Sequence, residues 1–419
     1  MNILIVEQPV NNRGDESAHR AFVEKLSQTY PNANIKILFF EKLPIEVDEM
    51  RVERNNVEYV NIPVRHKTFA PHRMIKMFMM FNTSFLLGTL PIIRKIKELY
   101  KEADYIVCAP GGIDMGGFQN WVHIALLELA KKMNKKVIYF ARSIGPFPTS
   151  TMFNRLFKRK SIELLSYFSF ISLRDKKSQE LAASLGISFV PTIDSAFLHY
   201  SREEIPQSFK DALEDSPYMV LVPNSLAWHH SFRQYTQQDF FEFWLKLTNT
   251  LLNKYPELKI AMLPQTVSYG YAASLDDGYK YFCRIKDASS EPRRVIVLEE
   301  KYGSNIQQNI ISQAAFLIGA RYHSIIFSIN QNTPFVSLCY EHKMKGVTEM
   351  LGFGDIDLLT LFNGENLTDE RINNFIKEIM KASLNAEQDI KGTEKARIIA
   401  SNGFDKLIEF FKSQENHED

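Results

Sequence analysis

Short apolar runs recur along this chain, each followed by a polar or glycine-bearing loop and then by apolar residues at helical spacing. Residues 2–6 (Asn-Ile-Leu-Ile-Val) form the first run. After a loop over 8–15, Ala18, Phe22, Val23 and Leu26 fall on one face of a predicted helix. Residues 35–40, 57–62, 105–109, 137–140, 170–173 and 191–197 read as further strands of a first half. Residues 218–222, 259–263, 295–298, 316–318 and 335–338 repeat the pattern in a second half. Strands apolar throughout and alternating with helices predict an α/β protein with parallel sheets covered on both faces. The stretch 201–216 is charged and lacks strand character, which predicts a linker. The expected layout is a first lobe at 1–200, the linker at 201–216, a second lobe at 217–384, and a helical segment at 385–419 that could cross back to the first lobe.

In open parallel sheets ligands bind beyond the carboxyl ends of the strands, and helix N-termini attract anions. The stretch 316–324 places Arg321 at such an end and His323 in the first turn of the next helix. Arg174 and Lys343 stand at two more strand ends. Guanidinium groups match carboxylate and phosphate in geometry, a lysine serves as a point charge, and a histidine can move a proton near neutral pH. The set suits a small polyanionic substrate and a proton-transfer step. Each residue also has a plainer reading: Arg321 and Arg174 as surface ion pairs or helix caps, His323 as a core residue. The loop 110–117 carries four glycines after a buried strand, so Gly111 and Gly112 can let a phosphate or sugar approach the backbone. Trp121 and His123 open the helix that follows. The loop 223–230, with Trp228, His229 and His230, suits stacking on a sugar ring.

Composition narrows the field. Among 419 residues the net charge is only +1, which argues against a nucleic-acid footprint. Cys108, Cys283 and Cys339 are widely spaced and odd in number, predicting a reducing, cytoplasmic setting without disulfides. The chain opens into a strand without a basic leader, so no secretory signal is expected. No carboxylate or histidine cluster has metal-ligand spacing, and no dinucleotide fingerprint, phosphate-binding loop or nucleophile elbow is present. Residues 77–93 are apolar, preceded by Arg65, His66, Lys67, His72, Arg73 and Lys76 and followed by Arg94, Lys95 and Lys97. A core helix with a solvated basic flank is the favoured reading, with peripheral contact at an anionic membrane as the alternative.

Several blocks recur in a familiar order: Asn12-Arg13-Gly14-Asp15-Glu16, the glycine loop to Gly117, Ser143-Ile144-Gly145-Pro146, Ser172-Leu173-Arg174-Asp175, Asp194-Ser195-Ala196-Phe197, Gly319 to Ser324, and Tyr340 with Lys343. In this order they resemble the polysaccharide pyruvyl transferase family across most of the chain. The resemblance implies two Rossmann-like lobes around a cleft, similar to GT-B glycosyltransferases, with the acceptor on the first lobe and the donor on the second. It implies transfer of a pyruvyl group from phosphoenolpyruvate to two hydroxyls of a sugar, giving a ketal and phosphate, with no cofactor and no metal. Arg321, His323 and Asp114 would be catalytic, and Arg174, Lys343, Gly111, Gly112, Asn12, Asp15, Tyr340 and His123 would bind substrate. The acceptor would be a polysaccharide sugar, free or lipid-linked at the inner membrane face. Two departures weaken the acceptor side: Ile113-Asp114-Met115 interrupts the glycines, and Asn224 stands where many relatives carry a basic residue. The rival readings are a glycosyltransferase using a nucleotide sugar, with Glu341 holding a ribose, and a non-catalytic sugar-binding protein.

Overall fold

The computed structural model describes residues 1–8, 12–40, 51–62, 71–117, 119–201, 203–266 and 278–415. Arg65, His66 and Lys67 of the basic flank and residues 9–11 of the first loop lie outside them. In the first lobe the strands are β1 (Asn2–Val6), β2 (Asn34–Phe39), β3 (Val57–Asn61), β4 (Tyr105–Cys108), β5 (Gly111–Met115), β6 (Lys136–Ile144), β7 (Phe170–Leu173) and β8 (Val190–Pro191). They pair in parallel in the order β3-β2-β1-β4-β6-β7-β8, with β5 against β6. The helices are α1 (Arg13–Thr29), α2 (Pro71–Met80), α3 (Pro91–Glu102), α4 (Trp121–Lys132), α5 (Met152–Leu165) and α6 (Lys176–Ser184). Both sheet faces are covered, and alternate residues of one strand feed different cores. Val137 and Tyr139 of β6 pack with Trp121 and Phe157, while Ile138 and Phe140 pack with Phe22 of α1.

In the second lobe α7 (Gln207–Leu213) precedes β9 (Tyr218–Val222), α8 (Gln237–Lys254), β10 (Lys259–Met262), α9 (Tyr279–Ala288) and β11 (Val295–Val297). Then come α10 (Ser304–Ser312), β12 (Leu317–Gly319), α11 (Tyr322–Gln331), β13 (Phe335–Cys339), α12 (His342–Leu351), β14 (Ile356–Asp357), α13 (Asp369–Leu384) and α14 (Ile390–Glu415). Its six strands are parallel in the order β11-β10-β9-β12-β13-β14. In both lobes the strand order reverses between the first and fourth strands, β1/β4 and β9/β12, and such a reversal opens a crevice at the carboxyl ends. Helix α14 spans the two lobes: Ala396 and Ala400 pack in the second-lobe core, while Phe404, Leu407 and Phe411 pack on the first sheet, with Phe411 4.8 Å from the Tyr105 ring.

Five local expectations change. The first helix begins at Arg13, inside the predicted loop, because the Asn12 side chain accepts from the Gly14 and Asp15 amides and caps it. The glycine loop is mostly strand, since Gly111 and Met115 pair beside Arg142 and Ile144 of β6. Residues 195–198 form a 3-10 turn capped by Asp194 in place of a strand end. The predicted linker is partly helix α7, whose Phe209 packs on Tyr218 at 5.7 Å. Residues 77–93 are not one helix: α2 stops at Met80, Asn82 turns with φ 56°, a 3-10 turn covers Ser84–Thr89, and Pro91 starts α3.

Candidate active site

Strand β7 delivers Arg174 to its carboxyl end, where the side chain is 2% exposed. Its guanidinium bonds the Asp194 carboxylate at 2.5 Å and the Ser143 hydroxyl at 3.1 Å. It also lies 5.2 Å from the ring of Tyr322, on the other lobe. Asp194 is fully buried. Burial alone would raise its pKa, but the Arg174 charge and His323 outweigh it and hold the carboxyl well below the usual range. His323, in the first turn of α11, turns Nε2 toward Asp194 Oδ2 at 3.6 Å. A first-lobe carboxylate thus faces a second-lobe imidazole across the seam.

The block 12–16 makes that approach possible, and each residue has its own task. Asn12 caps the helix with its side-chain oxygen, a structural task beside the substrate contact expected of it. The Arg13 amide donates to the Gln265 carbonyl at 2.8 Å, and its guanidinium donates to the Glu300 carbonyl and pairs with Glu16 at 2.7 Å. Glu16 in turn accepts from the Ser304 amide and hydroxyl, both at 2.9 Å. Gly14 leaves room for the histidine: a Cβ there would lie 1.8 Å from the His323 ring. Asp15 faces β5, where Gly111, at φ 139°, has no side chain to meet the carboxylate. The first turn of α1 is therefore a pin driven into the second lobe.

The remaining cations are more open. Arg321 caps α11 and is half-buried, its charge close to Tyr340. Lys343 is 23% exposed, pairs with Glu341 at 3.0 Å, and lies 5.6 Å from the Tyr322 ring, which Arg174 also faces. Tyr340 is buried beside His229, with ring centroids 5.6 Å apart. Asn224 is buried and donates to the Ala320 carbonyl, while its own carbonyl accepts from the Trp244 indole. It braces the β9 and β12 loops. Trp228 is half exposed at the edge of this group.

On the first lobe, β5 carries Asp114, with Gly111 buried and Gly112 half-buried before it. Asp114 accepts from Arg142 and from the Asn120 amide at 3.0 Å. His123 lies beneath this strand, fully buried with Nδ1 against Glu7, and burial, then the Arg142 charge, lower its pKa well below the usual imidazole value. The Asn120 amide donates to both Glu7, at 3.4 Å, and Asp114, at 3.0 Å. Glu7, Asp114 and His123 have potential ligand atoms within 4.8 Å of one another, a cluster that sequence spacing did not foreshadow. Arg142 donates to one oxygen of Asp114 and Asn120 to the other, which leaves the carboxylate capacity for a further donor. A separate cavity of about 440 Å³ lies behind α1 between Arg20, Arg51, Glu24 and Glu203 and contains none of the predicted site residues.

The structure thus brings together Arg174, Arg321, His323, Lys343, Tyr340 and Asp15, and sets Gly111, Gly112 and Asp114 on the facing lobe. Asp194 and Arg142 were not singled out in the sequence. Both stand just beyond or within a strand's carboxyl end, the rule that marked Arg174, and Asp194 lies in a quoted block. Glu7 ends β1 and carried the same signal.

Two doubly wound lobes with charged strand ends meeting at the cleft define a GT-B-like transferase scaffold. The family model described as polysaccharide pyruvyl transferase matches residues 12–342, and the chain belongs to that family. It is 23% identical over 388 residues to the amylovoran biosynthesis protein AmsJ of Erwinia amylovora, covering 87% of this chain and 90% of that protein. Its fold is similar to a UDP-GlcNAc 2-epimerase from Neisseria meningitidis (TM-score 0.56, 11% identity, 99% of this chain and 100% of that one). It is also similar to a UGT transferase from Siraitia grosvenorii in complex with UDP (TM-score 0.56, 10% identity, 98% and 99%). At that identity the two structures speak for the GT-B-like fold alone. The general role is that of a transferase in polysaccharide biosynthesis.

Proposed function

We propose that the chain transfers the pyruvyl group of phosphoenolpyruvate to two hydroxyls of a sugar in a polysaccharide or its precursor, forming a pyruvate ketal and releasing phosphate. The observation that carries this reading is the His323–Asp194–Arg174 array across the seam, beside the more open Arg321 and Lys343. Arg321 and Lys343 take the carboxylate and phosphate of the donor. Arg174 is committed to Asp194, so it acts as a positioning residue rather than a donor contact. Asp194 Oδ2 faces His323 Nε2 at 3.6 Å, beyond hydrogen-bond length, so its carboxylate favours the charged ring through space. The 3.6 Å separation suits a dyad that tightens when substrate arrives.

His323 gives a proton to the methylene carbon of the donor, leaving an oxocarbenium-like centre at the phosphate-bearing carbon. One sugar hydroxyl attacks that carbon and passes its proton to the imidazole, and the second then displaces phosphate as the carbon–oxygen bond breaks, its proton leaving with the phosphate. Cations on the departing phosphate contribute on the order of 3 kcal/mol of transition-state stabilisation. Asp114 faces the acceptor side and orients a hydroxyl there. Phosphate release is measured with phosphoenolpyruvate and a panel of galactosides, mannosides and N-acetylhexosamines. His323→Ala should lower the rate by roughly 10²–10⁴-fold with the fold intact. A near wild-type rate would remove the histidine from the mechanism. No phosphate release with any acceptor, together with turnover of a nucleotide sugar, would overturn the proposal.

A further inference from the structure

Helix α2 and the turn after it show water an apolar surface that neither lobe's core uses. Met77 is 47% exposed, Phe81 66% and Phe85 75%. Met77, Phe81 and Phe85 are spaced four apart, and Phe81, one residue past α2, donates its amide to the Met77 carbonyl at 3.0 Å. The Phe81 ring meets Phe153 edge-on at 6.1 Å, which sets Met152, 66% exposed, beside it at the start of α5. Large apolar side chains grouped this way mark an interaction site.

The chain segments that carry the patch bring basic side chains to it. Lys132 reaches the Ser84 hydroxyl at 3.3 Å and Arg94 the Thr89 carbonyl at 3.4 Å. Arg73 and Lys76 are exposed on α2, and Arg155 on α5. No aspartate or glutamate occurs between residues 59 and 97, nor between 129 and 162. Over the whole chain the charges nearly cancel, but residues 1–200 hold 27 Lys and Arg against 19 Asp and Glu, a balance of +8, and the remainder sums to −7. The positive excess therefore sits on the lobe that carries the apolar patch. Protruding aromatic and methionine side chains with basic side chains beside them fit an anionic lipid surface, where rings seat among headgroups and cations hold phosphates. Among the described residues no helix is long and apolar enough to cross a membrane, so the contact is peripheral.

We infer that the α2–α3 segment and the start of α5 dock this chain on an anionic bilayer. The patch also adjoins the acceptor side of the cleft. Asn154, next to Phe153, accepts from Gln119 at 2.8 Å, Gln119 bridges to Met115 of β5, and Asn120 bonds Asp114. A docked protein would hold the Asp114 loop close to the headgroups, where a lipid-linked sugar is presented. That last link rests on the proposed transferase reading; the docking itself does not.

The test is flotation of the full-length protein with phosphatidylglycerol vesicles and with phosphatidylcholine vesicles. Binding should favour phosphatidylglycerol and weaken as salt rises toward about 1 M. Phe81→Ser/Phe85→Ser should lower it by roughly tenfold or more, the scale of withdrawing aromatic surface from an apolar phase. Arg94→Gln/Lys95→Gln should cost about fivefold per charge. Phosphate release on a soluble acceptor should be unchanged in both variants, so failure of docking and failure of the donor chemistry are read separately. Equal binding to the two lipids, wild-type binding by the Phe81/Phe85 variant, or a Phe85-dependent dimer that ignores vesicles would overturn the inference.

Discussion

Substituting Gly14 by alanine tests the central contact without touching a charged group. The new Cβ would stand 1.8 Å from the His323 ring, and ordinary contact begins near 3.4 Å, so the ring or the helix must yield by about 1.6 Å. Neither yields easily. The ring is 6% exposed and has the Tyr322 ring edge-on at 4.8 Å on one side and Asp194 on another. The helix is pinned by the Arg13 amide on Gln265 and by Glu16 on Ser304. Overpacking of this kind typically costs about 1–3 kcal/mol. Alanine is otherwise the better helix former by up to ~1 kcal/mol, so a fall in melting temperature reports the contact and not the helix. A misplacement above 1 Å at a proton donor should lower kcat/KM by about 10²-fold. The double variant Gly14→Ala/His323→Gly should recover part of the lost stability but not the activity, because the ring and the Cβ that the new methyl would meet, at 1.8 and 2.4 Å, are both gone while the proton donor is missing. The melting curve does not depend on knowing the substrate. A single Gly14→Ala variant with wild-type melting temperature and kcat/KM would refute the inter-lobe contact.

Asp194→Asn keeps the shape of the seam but leaves the buried Arg174 charge uncompensated, and breaking such a pair costs about 3–5 kcal/mol. The urea midpoint should fall and turnover should drop with it; an unchanged midpoint would show that the pair is not a buried, coupled one. His19 gives a pH signature. Its ring is fully buried among Phe39 and Tyr59, and burial, then Arg20, lower its pKa to about 3. The unfolded chain takes up this proton below about 6.5. The stability His19 contributes is therefore complete above that value and declines as the pH falls toward 3, by about 2 kcal/mol at pH 5. Urea midpoints at pH 7.5 and 5.0 should diverge less in His19→Phe than in the wild type; equal divergence would mean the ring is protonated in the native state.

Much of the fold follows from local pattern. Runs such as 218–222, buried along their whole length, are what a parallel sheet covered on both faces requires, and their spacing announced the helices between them. Because parallel strands share one carboxyl edge, the sequence also marked Arg174, Arg321, His323 and Lys343 as neighbours in kind before any were known to be neighbours in space. Local rules misread the short-range competition at element ends. Asn12 captured residues 13–15 for a helix by capping it, and β6 drew the glycine loop into a ladder.

The sequence by itself determined the alternation of elements, the two-lobed plan and which side chains stand at strand ends, since each depends on periodicity or on residues a few positions apart. Only the tertiary structure decided what those side chains face. Arg174 is held by Asp194, His123 is turned onto Glu7, and Gly14 of one lobe makes room for His323 of the other. Such pairings span up to hundreds of residues and arise from how two finished sheets dock. Docking is set by the summed fit of many surfaces, and no local spacing along the chain records it.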